Sequence, residues 1–408
     1  MSSSRIVHQS GRSLRTATTV GVLLVILILP FRSTILVFNN TSLLKPIGVL
    51  VGLLWVVSVL ISPEARYLHL PQFYLTLAGF VIFNILSMAW SVDQSLTSSS
   101  LLNYVLILGL VTMIWDICDR KVTIDNLLQM FVLGSFVPAV LITLDFILTS
   151  SSSVTRFGGG NFDINATAGM LAIAIPMAWY LATQRQSNVS QILNYAFIPL
   201  SIFAIILTGS RQSIVALLPS ALYITYNLFT YGDRRVKLGF LGVLIGSVLL
   251  FTALIPPELL ERIVSIPFAV ITAESMQIRF DTWAAGLEVF IRHPLIGVGS
   301  GTYRSAIIPF KGYSIASDTT LFTILVEVGI VGFSIFLAYF AFVFRALLFH
   351  ISTRNMLWPV IFGVWFPLAL VNNWENTPMT WVIFTLIIKD AHLKVTNQPS
   401  LLVSRTSS

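Results

Sequence analysis

The chain has 408 residues, of which 56% are hydrophobic and only 10% charged, and its mean hydropathy is +0.86. Soluble domains carry about 25% charged residues, and a soluble globule of this length has too little interior to hide so much apolar surface, so the composition leaves a polytopic helical membrane protein. The net charge of +7 is no nucleic-acid signature, because the basic residues sit in short segments between apolar runs, where they set orientation in the bilayer.

In chain order, residues 1–19 form a polar, basic tail with Arg5, Arg12 and Arg15. A basic stretch before an apolar run has the outline of a signal peptide. The run that follows contains Pro30 and Arg32 but no small-residue cleavage pattern, so it reads as an uncleaved first span. Twelve apolar runs occur at 20–37, 43–61, 71–90, 98–115, 127–148, 166–182, 192–207, 213–231, 236–255, 321–344, 356–371 and 378–388. A helix needs about 20 apolar residues to cross a bilayer. The eleventh run is short, and the twelfth either recruits 374–377 or is re-entrant. The expected fold class is therefore all-α, a transmembrane helical bundle of about 12 spans with one large extracytoplasmic loop containing short amphipathic helices. Its divisions are a cytoplasmic tail (1–19), spans one to nine (20–255), the large loop (256–320), spans ten to twelve (321–390) and a polar, disordered cytoplasmic tail (391–408).

Lysine and arginine orient these spans. With the N-terminus in the cytoplasm, Arg66, Arg120, Lys121, Arg185, Arg234, Arg235, Lys237, Arg345, Arg354, Lys389, Lys394 and Arg405 all fall inside. The short outer loops keep Lys45, Arg156 and Arg211, with Arg32 at a helix end. This positive-inside bias puts 256–318 outside and both termini in the cytoplasm.

Three arginines run against that bias. Arg156 precedes Phe157-Gly-Gly-Gly-Asn161, Arg211 lies in the tight Thr208-Gly-Ser-Arg-Gln-Ser213 turn, and Arg279 opens an Arg-x-x-x-Trp283 segment. Glycine lets a ligand approach the backbone, and the guanidinium fork suits phosphate oxygens. Together they fit a pocket for an anionic group, most simply a diphosphate at the membrane surface. Any one of them can instead snorkel to headgroups or cap a helix.

Within the large loop, Phe280, Trp283, Leu287 and Ile291 recur at helical spacing, with Asp281, Glu288 and Arg292 on the other side. This describes an amphipathic helix on the outer leaflet, ended by Pro294. Gly297, Gly299 and Gly301 then make a flexible turn, which is no dinucleotide fingerprint because no strand precedes it. Asp318 is placed to cap the tenth span or to act as a general base on an acceptor hydroxyl. Glu327, inside that span, reads either as structural bonding or as function; Asp145 and Glu375, near outer helix ends, are weaker candidates of the same kind. His8, His69, His293, His350 and His392 are scattered, Cys118 is the single cysteine, and there is no outer Asp-x-Asp pair. Neither a metal nor a cofactor is expected.

These pieces resemble the superfamily of O-antigen ligases and Wzy-type O-antigen polymerases, the bacterial polysaccharide-assembly membrane proteins. The resemblance rests on Ser87-Met-Ala-Trp-Ser91, Arg156 to Asn165, Thr208-Gly-Ser-Arg211, Arg279-x-x-x-Trp283, His293-Pro-Leu-Ile-Gly-Val-Gly299 and Leu321 to Gly332 with its Leu-Val-Glu-Val-Gly core. It implies a metal-independent, inverting glycosyltransferase of the inner membrane. Such an enzyme moves a glycan from an undecaprenyl-diphosphate carrier to an acceptor sugar hydroxyl on the outer leaflet. It further implies Arg211 and Arg279, with Arg156, as diphosphate ligands. Asn161, Trp283 and Gly299 are expected beside the substrate, and Asp318, Arg211 and Arg279 at the chemistry. One departure stands out: ligases of the family commonly carry His-Asn where this chain has Ser317-Asp318, which tilts the expectation from ligase to polymerase. Outside this class, a lipid-linked glycan flippase would share the apolar spans but call for broken helices in matching halves and charges near the midplane. A non-catalytic scaffold would need no outward arginines beside glycines.

Overall fold

The computed structural model describes residues 2–32, 36–37, 41–61, 71–149, 156–159, 163–184, 187–231, 237, 242, 246, 261, 274–313, 319–353 and 355–396. The ninth apolar run, Asn161, Asp318, Arg66, Arg185 and Arg354 are among the features outside or largely outside these residues.

The chain is predominantly helical. Helix α1 (Ser2–Ile28) ends in a 3-10 turn and is joined to α2 (Leu44–Ile61) through a two-stranded antiparallel ladder, β1 (Leu36–Val37) and β2 (Thr41–Ser42), in register Leu36 to Ser42. There follow α3 (Gln72–Leu86), α4 (Gln94–Ile117), α5 (Lys121–Leu148), α6 (Ile164–Gln184), α7 (Asn188–Thr208), α8 (Arg211–Ala216) and α9 (Leu218–Tyr231). After the gap come α10 (Glu274–Arg292), the one-turn helices α11 (Tyr303–Ala306) and α12 (Ile308–Lys311), then α13 (Thr320–Ser352), α14 (Leu357–Val371) and α15 (Pro378–Thr396). Among the described residues, nine helical stretches are long and apolar enough to cross a membrane. They correspond to expected runs one to eight and ten. The eleventh run forms the short α14, and the twelfth forms α15, which continues as helix through 391–396.

Local chemistry explains several boundaries. Asp93 caps α4, its Oδ1 accepting from the amides of Ser95 and Leu96 at 3.1 Å each. Gly209 ends α7 in the left-handed conformation (φ 59°). Prolines lie inside α5, α6, α7 and α14, which membrane helices tolerate because neighbours satisfy the freed carbonyls. Helix α6 is apolar all round, and 83% of its spanning window is buried, against 11% for α2. It is the central helix, packed by α5, α7 and α14, while α2 lies at the periphery. A second contact zone joins α3, α4, α13 and α15 through Phe80, Tyr104, Phe336 and Trp381, with Phe80 5.6 Å from both Tyr104 and Phe336 and 5.9 Å from Trp381, ring to ring. Such pairs contribute about 0.5–1.5 kcal/mol each beyond burial.

The two ends of the bundle differ. At one end Arg15 binds Asp119 (2.9 Å), Lys121 binds Asp390 (3.1 Å), and Trp358 donates to Asp390 (2.8 Å). Arg15, Lys121 and Lys394, expected on the cytoplasmic side, share this end. The opposite end holds Asp93, Arg156, the 208–211 turn and the glycine turn at 297–301.

Helix α10 has three sides rather than the two read from its pattern. Phe280, Leu287 and Ile291 face outward, as a helix lying against lipid requires. The side packed inward is made of small residues: Thr282, Ala285, Gly286 and Val289 meet Tyr303, Phe322 and Val326. Asp281 and Arg292 lie between these sides, with Asp281 paired to Lys311 (3.1 Å) and Arg292 over the Phe310 ring (4.8 Å). The charged side is thus a flank. Gly286 permits the close packing, since a Cβ there would lie 2.3 Å from the Tyr303 hydroxyl.

Candidate functional site

The first half of the site is the turn between α7 and α8. Gly209 and Ser210 are its only residues, so Arg211 begins the next helix immediately. The turn is held from within: Thr208 Oγ1 accepts from the Ser210 amide (3.2 Å), and the Ser210 and Ser213 hydroxyls pair at 3.0 Å. It is held from outside by Arg156, whose Nε donates to the Thr208 carbonyl and whose Nη2 donates to Asn165 Oδ1, both at 2.8 Å. The adjoining Phe157 amide donates to Leu207 O (3.1 Å). Asp145 Oδ2 accepts from the amides of Gly158 (3.2 Å) and Gly159 (3.0 Å), pinning the loop after Arg156. Two arginines distant in sequence therefore share one turn. Arg156 braces the backbone, and Arg211 stands half-buried at the start of α8. Beside it the Gln212 side-chain amide is buried, with no hydrogen-bond partner for either end among the described residues.

The second half is a backbone knot joining three segments. Helix α13 breaks at Gly329 (φ 64°, ψ −171°), dividing one long apolar run into two helical pieces. The glycine turn docks into this break. Gly299 donates to Glu327 O (2.9 Å), while Ile330 and Val331 donate to the carbonyls of Pro294 (2.9 Å) and Leu295 (3.0 Å). Backbones approach so closely that a Cβ on Gly297 would lie 2.3 Å from Glu327 O, and one on Gly329 would lie 2.4 Å from Leu295 O. The Ser87–Val92 segment closes the knot. Ser87 Oγ accepts from Ser300 N (3.1 Å), Trp90 Nε1 donates to Ile296 O (3.1 Å), and Val92 N donates to Val298 O (3.0 Å). Asp93 Oδ2 accepts from the Ser305 hydroxyl (3.0 Å). The amides of Leu96 and Ser95 and that hydroxyl hold the Asp93 carboxyl below its ordinary pKa, the Leu96 amide contributing most.

Glu327 is the side-chain anchor of the knot. Its carboxylate accepts from Gly301 N (2.7 Å) and Tyr303 N (3.1 Å), so the costly buried group is matched to two backbone donors. Toward α15 the polar contacts continue from Ser300 to Ser100 (3.2 Å) and on to Asn376 (3.5 Å). Thr320 fixes the α14–α15 connection by donating to Asn372 O (2.8 Å) and accepting from Trp374 N (2.9 Å). In that connection Glu375 is buried, and neither carboxyl oxygen finds a well-formed hydrogen bond among the described residues. Burial, with the nearby charge of Glu327 second, pushes its carboxyl well up from the ordinary range.

The expected site residues thus fall into distinct surroundings. Arg156 and Arg211 come together at one turn. Arg279 and Trp283 lie on α10, both half-buried, and the Trp283 indole N–H is buried without a hydrogen bond among the described residues. Gly299 is buried in the knot, where a Cβ would lie 2.7 Å from Ser91. Asn161 and Asp318 lie outside the described residues. Pattern reading missed the helix break at Gly329 and the role of Ser87 as a seat for the glycine turn. The available signal was the positive-φ glycine set at 297, 299 and 301, which needs a partner backbone able to come equally close. Among the described residues no group of three or more histidine, cysteine, aspartate or glutamate side chains could hold a metal ion.

A bundle of long apolar helices with a polar knot and an arginine-braced turn at one end defines a multi-pass membrane protein. Residues 196–337 match the family described as O-antigen ligase, which supports the resemblance to the O-antigen ligase and Wzy-type polymerase superfamily over this segment. The matched segment includes the Arg211 turn, α10, the glycine turn and the break in α13. Ser87–Ser91 and Arg156 lie before it and contact it directly. No curated protein matches the chain.

Proposed function

We propose that this protein is an inner-membrane glycosyltransferase that takes a glycan from an undecaprenyl-diphosphate carrier and passes it to an acceptor sugar hydroxyl on the outer leaflet, polymerising surface-polysaccharide repeats. The observation that carries the reading is the turn at 208–211, where Arg156 braces the backbone that presents Arg211 within the matched family segment. A diphosphate leaving group gathers negative charge as the glycosidic bond breaks, and a pre-placed guanidinium stabilises that charge. In this reading Arg211 and Arg279 hold the diphosphate without a metal, Arg156 supports Arg211, and the donor's anomeric centre inverts. Asp318 takes the acceptor proton, and Asn161, Trp283 and Gly299 border the substrate.

The ligase reading, with lipid A–core as acceptor, has the description of the matched family in its favour. The polymerase reading has Ser317-Asp318 in the place of the ligases' His-Asn. Deleting the gene and separating surface polysaccharide on a gel distinguishes them. Single repeats in place of long chains support the polymerase, free long polymer supports the ligase, and an unchanged ladder contradicts both.

A further inference from the structure

A cavity of about 310 Å³ lies between α1, α2 and α4, beneath the α14–α15 connection. Its volume is in the range of small-molecule pockets, and its lining is graded. Arg32 and Lys45 line it together with Asn103 and Asn376, and Ile107, Leu110 and Met113 form an apolar wall along α4. The β1–β2 ladder makes the cationic end, because it turns the chain between α1 and α2 so that residues 32 and 45 come to the same level. Ser42 locks this geometry, its hydroxyl donating to Arg32 O (2.6 Å) and accepting from Leu44 N (3.3 Å). Both cations are half-buried. The Asp163 carboxylate acts on Arg32 electrostatically while also accepting from the amides of Asn165 (3.0 Å) and Ala166 (3.1 Å).

From Asn103 to Met113, at 1.5 Å per residue, the α4 wall runs about 15 Å, long enough to hold a stretch of hydrocarbon chain. The polar groups stand at one end of that length and the apolar ones along the rest.

We propose that this cavity binds one lipid with an anionic phosphate head group, the phosphate on Arg32 and Lys45 and a hydrocarbon chain along α4. A guanidinium fork beside an ammonium suits phosphate oxygens. The site is separate from the Arg211 turn and does not require glycosyl transfer. Under the polymerase reading it would be a second lipid-phosphate site, as a reaction between two carrier-linked chains needs.

The test is native mass spectrometry of the purified full-length chain, titrated separately with undecaprenyl phosphate, phosphatidylglycerol and zwitterionic phosphatidylethanolamine. Variants are the double substitution Arg32→Gln/Lys45→Gln, Gly48→Leu and Arg211→Ala. Gly48 lines the cavity and a Cβ there meets nothing within 4 Å, so a leucine begins in open space and directs its bulk at the ligand's volume. The expected result is one anionic lipid per wild-type chain, weakened about tenfold or more by the double substitution, displaced by Gly48→Leu and retained by Arg211→Ala. Preference for undecaprenyl phosphate would identify a carrier site, and preference for phosphatidylglycerol a phospholipid site; either upholds the phosphate recognition. Equal binding of all three lipids by the wild type and the double variant, or loss of the lipid only in Arg211→Ala, would overturn the proposal.

Discussion

Gly297→Ala tests the knot between the glycine turn and the break in α13. The added methyl would lie 2.3 Å from Glu327 O and 2.7 Å from Gly329 N, both backbone atoms that cannot rotate away. Three costs arise together. The left-handed backbone (φ 68°) costs an L-residue about 1–2 kcal/mol. Overpacking costs about 1–3 kcal/mol. Moving the turn to relieve it strains the bonds from Gly299 to Glu327 O and from Ile330 to Pro294 O, each contributing about 1 kcal/mol. Strain and relief partly exclude one another, so the total is about 3–5 kcal/mol. Gly312→Ala is the control. Gly312 also has positive φ (76°), but nothing lies within 4 Å of a Cβ there, so only the backbone cost of about 1–2 kcal/mol remains. Thermal scans of the two variants in the same detergent, read by size-exclusion chromatography at one heating rate, should put Gly297→Ala several degrees below Gly312→Ala. Equal midpoints would refute the close backbone docking.

Glu327→Gln should destabilise the same knot, because an amide NH₂ replaces one acceptor facing the Gly301 or Tyr303 amide. Charged-acceptor bonds contribute about 1.5–3 kcal/mol, and faster hydrogen exchange at Gly301 and Tyr303 than in wild type is the readout; unchanged protection would contradict the anchor role. Asp93 supplies a pH test. Its folded pKa is depressed, so its contribution is complete above its unfolded value of about 3.9 and is lost as pH falls through the lower folded value. Asp93→Asn, which keeps an acceptor for the α4 cap, should flatten the decline in melting temperature below about pH 4; an identical decline would remove Asp93 from the account.

Much of this architecture is legible in sequence because lipid simplifies the problem: a crossing segment must be helical and apolar. The helices of the described spans follow from that rule, and Pro294 marks the end of α10. The break at Gly329 is less legible. Glycine is common in membrane helices, and nothing local separates a glycine that bends the chain from one that only packs closely. What makes Gly329 a break is the backbone of residues 294–299, more than two dozen positions earlier, lying against it. Arg156 shows the same limit in the site. Its exposed-side arginine and following glycines mark it as unusual, but its bond to Thr208 O is a tertiary fact. The three sides of α10 also needed the structure, since Ala285 and Gly286 have little hydrophobic signal and yet form the packed face.

The most direct measurement of the central claim is transfer by the purified protein, reconstituted with undecaprenyl-diphosphate-linked repeats and read as lengthened glycan and released undecaprenyl diphosphate. The account predicts activity without added divalent metal. It predicts loss of turnover of about a hundredfold or more in Arg211→Ala, with the Arg211→Ala protein still folded by its melting temperature. Wild-type protein that lengthens no glycan, or an Arg211→Ala variant as active as wild type, would contradict it.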